Sequence, residues 1–416
     1  MPEFFHEGKR FRKFESWVFL GFFGFLGKIN TFAPAYRSSM SKDRTYTQDN
    51  LISINTINPT NMNVFEEVEQ FGHEQIVFCH DEDTGLKAII GIHDTSLGPA
   101  LGGTRMWNYA SEQEALTDVL RLSRGMTFKA AISGLNLGGG KAVIIGDAAK
   151  MKNEALLRRF GKFVESLSGK YITAEDVNMS TRDMEYISMH TSHVVGLPEV
   201  LGGGGDPSPV TAYGAYVGMK AAVKHQMGTE QLKGKKIAVQ GVGNVGTNLI
   251  EHLVKEDAQV FVTDLNETRL KNVADTYGVT VVGMDEIYDI DMDIYAPCAL
   301  GATVNDQTIE RLKCSVIAGA ANNQLADESK HGQLLREKGI VYAPDFLINA
   351  GGLINVGIDY LDVYNRERVY DMTERIYDTC TNILKAADEK NIPSQQAAIE
   401  AAMDRINSAR SLNARL

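Results

Sequence analysis

The chain has 416 residues, a length typical of two domains rather than of one hydrophobic core. Its 44% hydrophobic and 23% charged residues are typical of a globular protein, and a net charge of −11 argues against a nucleic-acid partner. The four cysteines (Cys79, Cys298, Cys314 and Cys380) lack metal-ligand spacing. We therefore expect reduced thiols in a cytoplasmic protein, and no metal site.

The first forty residues differ from the rest of the chain. Basic residues at 9–13 precede an apolar run over 17–27 and an Ala33-Pro34-Ala35 sequence, which together resemble a secretory signal. The run is too short for an ordinary transmembrane helix. Translation from Met40 would explain the segment equally well. We predict that residues 1–48 are an extension that is cleaved, disordered or not translated, and that the mature chain has no membrane partner.

The next part of the chain mixes strand and helix patterns. Residues 87–94 (KAIIGIHD) are apolar and β-branched, which predicts a strand. The following GPALGG run, 98–103, is too rich in glycine to predict regular structure. Ser111 with Glu114 is typical of a helix N-terminus, and the apolar spacing over 156–167 predicts an amphipathic helix.

A predicted hinge follows, and beyond it strand and helix patterns alternate. Four glycines at 202–205 and then Pro207 predict an interdomain hinge, and Ser208 before Pro209 predicts a helix N-cap. Beyond it, strand-like and helix-like segments alternate, which is typical of a doubly wound parallel sheet. The predicted strands are residues 236–240, 259–264, 279–282, 293–296, 316–318 and 340–343.

The predicted fold class is therefore α/β with two domains. Residues 49–205 would form an α/β substrate domain and residues 206–362 a Rossmann-like domain. Residues 363–416, helical by pattern with a break at Pro393, would return to complete the first domain.

A dinucleotide-binding fingerprint opens the second domain. Gly241 permits a tight turn, Gly243 lets the backbone approach a pyrophosphate, and Gly246 lets the following helix pack closely. Asp264 ends the next strand, 18 residues after Gly246, where a carboxylate would accept from a ribose 2′-hydroxyl. Because a carboxylate repels a 2′-phosphate, the pattern favours NAD over NADP. FAD proteins use the same fingerprint, although usually near the N-terminus.

Two lysines and a carboxylate suggest acid–base chemistry in the first domain. Lys129 and Lys141 lie twelve residues apart, and Lys141 stands between three glycines and an apolar run. Desolvation and a second ammonium group both lower the pKa of a lysine, as a general acid or base at neutral pH requires. Asp176, in a mostly apolar stretch, would hold the lysine pair and relay a proton. An alternative interpretation fits these residues equally well: both lysines are surface charges and the glycines form a turn. No spacing rule selects this pair of lysines.

Long motifs resemble the glutamate/leucine/phenylalanine/valine dehydrogenase superfamily. They are residues 98–107 (GPALGGTRMW), 124–141, 172–177, 208–212 and 349–352 (NAGG). The resemblance covers about residues 64–412. It implies a substrate domain facing a Rossmann domain, and the reversible, NAD-dependent oxidative deamination of an L-amino acid to a 2-oxo acid and ammonia.

The same resemblance implies roles for individual residues. Lys129 would bind the substrate carboxylate, Lys141 would activate water for attack on the imine, and Asp176 would carry protons to and from the nitrogen. Thr211 and Asn323, or the neighbouring Asn322, would lie near the nicotinamide. The remaining cofactor-binding residues would be Gly241, Val242, Gly243, Asn244, Val245, Gly246, Thr247 and Asp264.

The resemblance also indicates an aliphatic substrate. Glutamate-specific members have a lysine where this chain has Leu101, next to Gly102, so an acidic side chain would be buried without a partner. Ala174 and Val356 resemble pocket positions of the leucine-specific members, whereas Leu353 replaces their usual valine. Because an apolar pocket separates substrates that differ by one methylene only about 10–200-fold, leucine, isoleucine and valine would all react.

Other functions stay open at this point. A phenylalanine- or valine-specific enzyme of the same superfamily fits Leu353. A non-catalytic dinucleotide-binding regulator would not need buried charges, and a 2-hydroxy-acid dehydrogenase would normally use a catalytic histidine. His93 and His193 are predicted to be ordinary loop residues. The family resemblance further implies a homo-oligomer, with an octamer built through the N-terminal domain.

Overall fold

The computed structural model of the chain describes residues 64–361 and 364–414. The predictions for the extension over 1–48, including the signal-like segment and the start at Met40, lie outside the described residues. The structure has two α/β domains, one with a mixed sheet and one with a parallel sheet, in agreement with the predicted fold class.

The described strands and helices follow one another along the chain in two groups. The strands are β1 (Gln75–Asp81), β2 (Leu86–Asp94), β3 (Ala100–Trp107), β4 (Gly138–Ile145), β5 (Tyr171–Glu175), β6 (Lys236–Gln240), β7 (Gln259–Thr263), β8 (Thr280–Val281), β9 (Ile294–Pro297), β10 (Val316–Ile317) and β11 (Val341–Tyr342). The helices are α1 (Val64–Phe71), α2 (Glu112–Ile132), α3 (Ala148–Met151), α4 (Glu154–Glu165), α5 (Thr181–Ser188), α6 (Ser208–Met227), α7 (Asn244–Lys255), α8 (Glu267–Tyr277), α9 (Asp306–Arg311), α10 (Glu328–Glu337), α11 (Asp345–Ile348), α12 (Gly351–Leu361), α13 (Arg366–Glu374), α14 (Ile376–Lys390) and α15 (Ser394–Asn413).

The first domain is built on a mixed five-stranded sheet in the order β1-β2-β4-β3-β5. β1, β2 and β4 pair in antiparallel fashion, while β3 runs parallel to both β4 and β5. α2 covers one face of this sheet and α4 and α5 cover the other. Both faces are therefore buried, which explains why β2 and β4 are apolar almost throughout.

The second domain contains a parallel six-stranded sheet in the order β11-β10-β9-β6-β7-β8. Read from β8, this is the strand order 3-2-1-4-5-6 of a Rossmann fold, with its first strand at β6. The six strands predicted from alternation are all present, with ends shifted by a residue or two. In this fold, ligands bind at the carboxyl ends of the strands, where the order reverses between β6 and β9.

The C-terminal helix α15 returns to the first domain, as predicted. Ile399, Met403 and Ile406 pack against Phe128 and Ala131 of α2 in one apolar cluster. Arg405 adds polar anchoring, because its guanidinium donates to the carbonyl oxygens of Ala131 at 2.7 Å and Leu135 at 2.8 Å. These carbonyls belong to the end of α2 and the loop behind it, where regular helical hydrogen bonding stops.

Two local predictions were wrong. The GPALGG run contributes most of its residues to β3, since Ala100–Trp107 form a strand. Pro207, not Ser208, is the N-cap of α6, and no side chain caps this helix. The Ser208 N–H instead donates to the Asp206 carboxylate at 2.9 Å. The predicted N-cap at Ser111 is confirmed, as its side chain accepts from the Glu114 N–H.

The glycines of β3 are needed for close packing, which overrides their poor strand propensity. A Cβ on Gly102 would lie 1.7 Å from the Gly140 carbonyl oxygen, and one on Gly103 would lie 2.6 Å from that of Glu175. No side chain fits at either position without moving backbone.

Replacing Gly102 with alanine is therefore expected to lower the free energy of unfolding by several kcal/mol, because neighbouring backbone must shift to accept the Cβ. Gly125 is the matched control: it lies in α2, exposed, with nothing within 4 Å of its Cβ position. Gly125→Ala should raise stability by up to about 1 kcal/mol through helix propensity. Urea denaturation of both variants measures the difference. Equal stabilities would contradict the packing explanation.

The structure also shows the state of the cysteines and the character of the helices. All four cysteines are free thiols, and none forms a disulfide. In the described part of the chain, no helix has the length and apolar character needed to cross a bilayer.

Candidate active site

The strand register brings the predicted site residues to one face of the first sheet. Leu101 in β3 pairs with Gly139 in β4, and Gly103 pairs with Ala174 in β5. Because side chains alternate along strands, Leu101, Lys141 and Ala174 all point to the same side. Asp176 follows the end of β5 directly and lies beside them.

The glycines before Lys141 do not form a turn. They lie in β4, so the interpretation of a glycine turn with surface lysines is wrong. A Cβ on Gly139 would lie 2.1 Å from the Thr127 nitrogen, so α2 packs directly onto the strand at this point. Lys129 comes from the same stretch of α2. The glycines thus allow a helix and a strand to approach closely enough for Lys129 and Lys141 to interact.

Lys141 and Asp176 form an ion pair in the site. Lys141 is buried, only 6% exposed, and its Nζ lies 2.9 Å from the Asp176 Oδ2. The same oxygen accepts from the Arg105 Nε at 2.8 Å. Burial opposes the ionised form of Asp176, but the positive charges of Lys141 and Arg105 outweigh it and lower the pKa to about 2. The carboxylate is therefore ionised at neutral pH, with a proton donor in contact.

Lys129 has a different environment. It is partly buried, and the loss of hydration lowers its pKa to about 8. The Asp345 carboxylate raises this value and the Lys141 ammonium lowers it. Asp345 belongs to α11, which follows the last strand of the parallel sheet, so the Rossmann-like part of the chain contributes charge to the site. At neutral pH Lys129 is protonated and suited to bind an anion.

Carboxylate binding by Lys129 should weaken as the pH rises through about 8. Only the protonated lysine attracts a carboxylate, so the affinity for an unreactive analogue such as 4-methylpentanoate should fall up to about tenfold per pH unit above that value. Equilibrium titrations with this analogue from pH ~7 to pH ~9.5 measure the effect. The Lys129→Met variant should bind the analogue weakly, and its affinity should show no change of slope near pH 8. A flat profile in the unmodified enzyme would contradict the prediction.

The residues predicted to surround the substrate side chain are apolar and buried. Leu101, Ala174, Leu353 and Val356 belong to one continuous apolar cluster that extends from the first sheet to α12. Their exposure is 9% or less. Gly102 beside them has no room for a side chain. These four side chains offer no charged partner to an acidic substrate side chain.

The glycine-rich loop has the shape of a dinucleotide cradle. Gly241 has a φ of +103°, and a Cβ on Gly246 would lie 2.0 Å from the Gly241 carbonyl oxygen. α7 starts directly after Gly243 with no side-chain cap, so no capping side chain occupies its first N–H groups. The Asp264 carboxylate accepts from the Val242 N–H at 2.8 Å and from the Asn266 N–H at 2.8 Å, which holds it beside the loop. These residues fit a dinucleotide.

Thr211 and the two asparagines lie next to the NAGG motif. A Cβ on Gly352 would lie 2.6 Å from the Thr211 Oγ1. Asn322 is already engaged, because its Oδ1 accepts from the Asn349 Nδ2 at 2.8 Å. Asn323 has a φ of +52° and is exposed, and within the described residues its side chain makes no hydrogen bond. Of the two, Asn323 is free to bind a ligand.

One charged group of the site, Arg105, was not predicted, and one histidine, His93, lies in a different kind of element from the one predicted. Arg105 contacts Asp176, and strand alternation would have placed it on the same face had residues 100–107 been interpreted as a strand. His93 is not in a loop: it lies in β2, fully buried, with Nδ1 2.8 Å from the Thr127 Oγ1. Burial holds its pKa well below the ordinary value, so it is a neutral core residue.

The fold and the site together define a nicotinamide-dependent dehydrogenase. Comparison with protein families agrees with this class. Residues 73–193 match the Glu/Leu/Phe/Val dehydrogenase dimerisation domain, and residues 202–266 and 261–413 match the glutamate/leucine/phenylalanine/valine dehydrogenase domain. The chain therefore belongs to the glutamate/leucine/phenylalanine/valine dehydrogenase family.

Individual amino-acid dehydrogenases resemble the chain over most of its length. Leucine dehydrogenase of Thermoactinomyces intermedius is 54% identical over 345 residues, and that of Bacillus subtilis is 55% identical over 345 residues. Each alignment covers 83% of this chain and 94% of the relative. The solved structure of L-tryptophan dehydrogenase from Nostoc punctiforme superposes with a TM-score of 0.73 at 48% identity, covering 83% of this chain and 98% of that one. The predicted fold class, amino-acid dehydrogenase and NAD cofactor are confirmed.

Proposed function

We propose that the chain catalyses the reversible, NAD-dependent oxidative deamination of branched-chain L-amino acids to 2-oxo acids and ammonia. The observation that carries this proposal is the contact of buried Lys141 with Asp176, beside a protonated Lys129 and an uncharged pocket at Leu101. Leucine dehydrogenases among the relatives support the same reaction and substrate class.

Lys129 binds the substrate's α-carboxylate in this proposal. A carboxylate that enters the site replaces the water lost around the ammonium group and so favours its charged form. Held at that end, the substrate has a fixed orientation, with its side chain towards Leu101 and Ala174 and its nitrogen towards Asp176. Such orientation converts a bimolecular encounter into a positioned reaction.

Lys141 and Asp176 move the protons. Asp176 exchanges a proton with the substrate nitrogen, and Lys141 removes a proton from the water that attacks the imine carbon. The 2.9 Å contact between them lets a proton leave the site without free solvent. Because Lys141 is almost fully buried, bulk water has little access to its ammonium group.

The second domain binds NAD, which supplies a hydride acceptor. Gly241, Val242, Gly243, Asn244, Val245, Gly246 and Thr247 line the pyrophosphate, with the free N–H groups of α7 as donors. Asp264 binds the adenosine ribose. Thr211 and Asn323 hold the nicotinamide carboxamide, Asn323 being preferred to Asn322 because its side chain is free.

The pocket selects an aliphatic side chain. Leu101, Gly102, Ala174, Leu353 and Val356 offer no cation, so the carboxylate of glutamate would be buried unpaired at a cost of several kcal/mol. Because Leu353 and the similarity to an L-tryptophan dehydrogenase leave room for aromatic substrates, phenylalanine and tryptophan belong in the test.

Initial rates of NADH formation with a panel of L-amino acids at alkaline pH test the proposal. The expected order is leucine, isoleucine and valine well above phenylalanine and tryptophan, with glutamate inactive. If an aromatic amino acid gave the highest rate, the proposed substrate class would be wrong and the proposed reaction would stand. NADH formation from glutamate alone would refute the pocket assignment, and none from any amino acid would refute the enzyme.

We further propose that the enzyme is a cytoplasmic homo-octamer with domains at 49–205, completed by 363–416, and at 206–362. The dimerisation-domain match over residues 73–193 and the exposed Phe78 on the edge strand β1 support assembly through the first domain. Sedimentation velocity should give one species of eight chains. Limited proteolysis should cut first near Gly202, and N-terminal sequencing of the natural protein defines where the mature chain begins.

A further inference from the structure

Arg105 is a charged residue in the site for which the proposed reaction has no use. It lies in β3, with its side chain 23% exposed. Its Nε donates to the Asp176 Oδ2 at 2.8 Å, and its Nη1 donates to the Asp118 Oδ2 at 3.1 Å. The guanidinium group therefore bridges two carboxylates that come from different elements of the first domain.

The outer carboxylate is itself fixed. Asp118 lies in α2 and accepts a second hydrogen bond from the Tyr109 hydroxyl at 2.6 Å. The planar guanidinium is thus held at both ends, by Asp118 on the helix and by Asp176 after β5. Such fork-like bonding sets an orientation that a single lysine contact cannot provide.

Both cations that contact Asp176 use the same oxygen. Lys141 and Arg105 both contact Oδ2. Oδ1 makes no hydrogen bond within the described residues. The carboxylate is consequently held by one oxygen, and the other is available to a ligand in the site.

The two cations differ in their chemistry. A lysine that acts as a base must lose its proton during the cycle, and an Asp176 balanced by Lys141 alone would then be left without a counter-charge. An arginine does not deprotonate in proteins. Arg105 therefore keeps Asp176 balanced whether Lys141 carries a proton or not.

Several other groups surround Asp176 and could influence its titration. They are Lys141 of β4, Lys129 and Asp118 of α2, Tyr171 of β5, and Arg105 itself. Of these, Lys141 and Arg105 are the two that bond to the carboxylate directly.

We propose that Arg105 is a positioning residue for proton transfer: it holds Asp176 through Oδ2, leaves Oδ1 to the substrate nitrogen, and balances the carboxylate while Lys141 changes protonation. This inference rests on the proposed role of Asp176. Arg105 does not touch the substrate and acts only through the carboxylate.

The test compares Arg105→Gln and Arg105→Lys in the full-length enzyme. Arg105→Gln should lower kcat with leucine about 10–100-fold with little change in the KM for NAD. Removing the cation should also raise the pKa of Asp176. In the reverse reaction, reductive amination, Lys141 starts protonated, so the acidic limb of the kcat/KM profile for the 2-oxo acid reports Asp176 and should move upward by about 1–3 pH units. Arg105→Lys should bring the limb back towards that of the unmodified enzyme, while kcat stays low because a lysine does not bridge both carboxylates.

Arg311→Gln is the matched control. Arg311 also bridges two carboxylates, Asp285 and Asp289, but on the surface of the second domain. Its loss should leave both kcat and the pH profile unchanged.

The outcomes separate the two proposals. If Asp176→Asn turns over leucine normally, the proposed role of Asp176 fails and the role of Arg105 fails with it. If Asp176→Asn is inactive but Arg105→Gln loses only thermal stability, with an unmoved acidic limb, the arginine is merely structural. Should Arg105→Gln not fold, Arg105→Lys decides: reduced kcat with a limb near its original pH supports the proposal, and full kcat overturns it.

Discussion

Replacing Lys141 with alanine is expected to lower kcat with leucine by about 10²–10⁴-fold, the range that general acid–base catalysis contributes. The residue is buried and paired with Asp176, so its removal takes the base away from the attacking water. Arg105 remains to balance Asp176, and the carboxylate is not left unpaired. The dinucleotide loop follows β6 of the second sheet, whereas Lys141 lies in the first sheet. The dissociation constant of NADH, measured by fluorescence, should therefore hardly change.

Lys220 is the matched control for this substitution. It also pairs with a half-buried carboxylate, Glu256 at 2.7 Å, but at the C-terminal end of α7 in the second domain. Lys220→Ala should therefore keep near-normal kcat with some loss of thermal stability. Turnover of Lys141→Ala at the level of Lys220→Ala would remove Lys141 from the mechanism. Loss of NADH binding in Lys141→Ala would instead show a general disturbance of the fold.

Replacing Asp264 with alanine is expected to raise the ratio of kcat/KM for NADP to that for NAD by about 10–100-fold, because the repulsion of a 2′-phosphate and the hydrogen bond to a 2′-hydroxyl are both lost. The carboxylate is well placed for this discrimination, since the Val242 and Asn266 N–H groups hold it at the end of β7. Arg269 lies nearby, 3.8 Å from a Cβ position on Gly243, and its charge favours a phosphate once Asp264 is gone.

Glu267→Ala removes the same charge three residues further along the chain, from an exposed position in the first turn of α8. This control should leave the cofactor ratio close to its original value. Initial rates with both cofactors at saturating leucine provide the measurement. If kcat/KM falls for NADP as much as for NAD, so that the ratio stays unchanged, the carboxylate anchors the loop and does not select the cofactor.

The second domain was predicted correctly because its signals are local. The strand, glycine turn, helix and terminal acid of residues 236–264 follow one another along the chain, and each depends on neighbours a few residues away. Alternation of strand and helix patterns then leaves few topologies for a parallel sheet. The strand order of the Rossmann domain follows the rule for this fold.

The first domain was harder because its glycines have a long-range function. β3 and β4 contain Gly102, Gly103 and Gly138 to Gly140, which local propensity counts against a strand. These positions require glycine because the backbone of another strand or of α2 packs directly against them, as the backbone of Thr127 packs against Gly139. No pattern within the run itself shows that contact.

The amino-acid sequence alone thus determined the cofactor loop, the family resemblance and the types of residue in the site: two lysines, one aspartate and an aliphatic residue at Leu101. Only the tertiary structure decided that Lys141 pairs with Asp176 and that Arg105 shares the same oxygen. These residues are separated by tens of positions, and their contact depends on the order and register of β3, β4 and β5. The lowered pKa of Lys129 has the same origin, since it results from burial beneath elements that meet only in the folded chain.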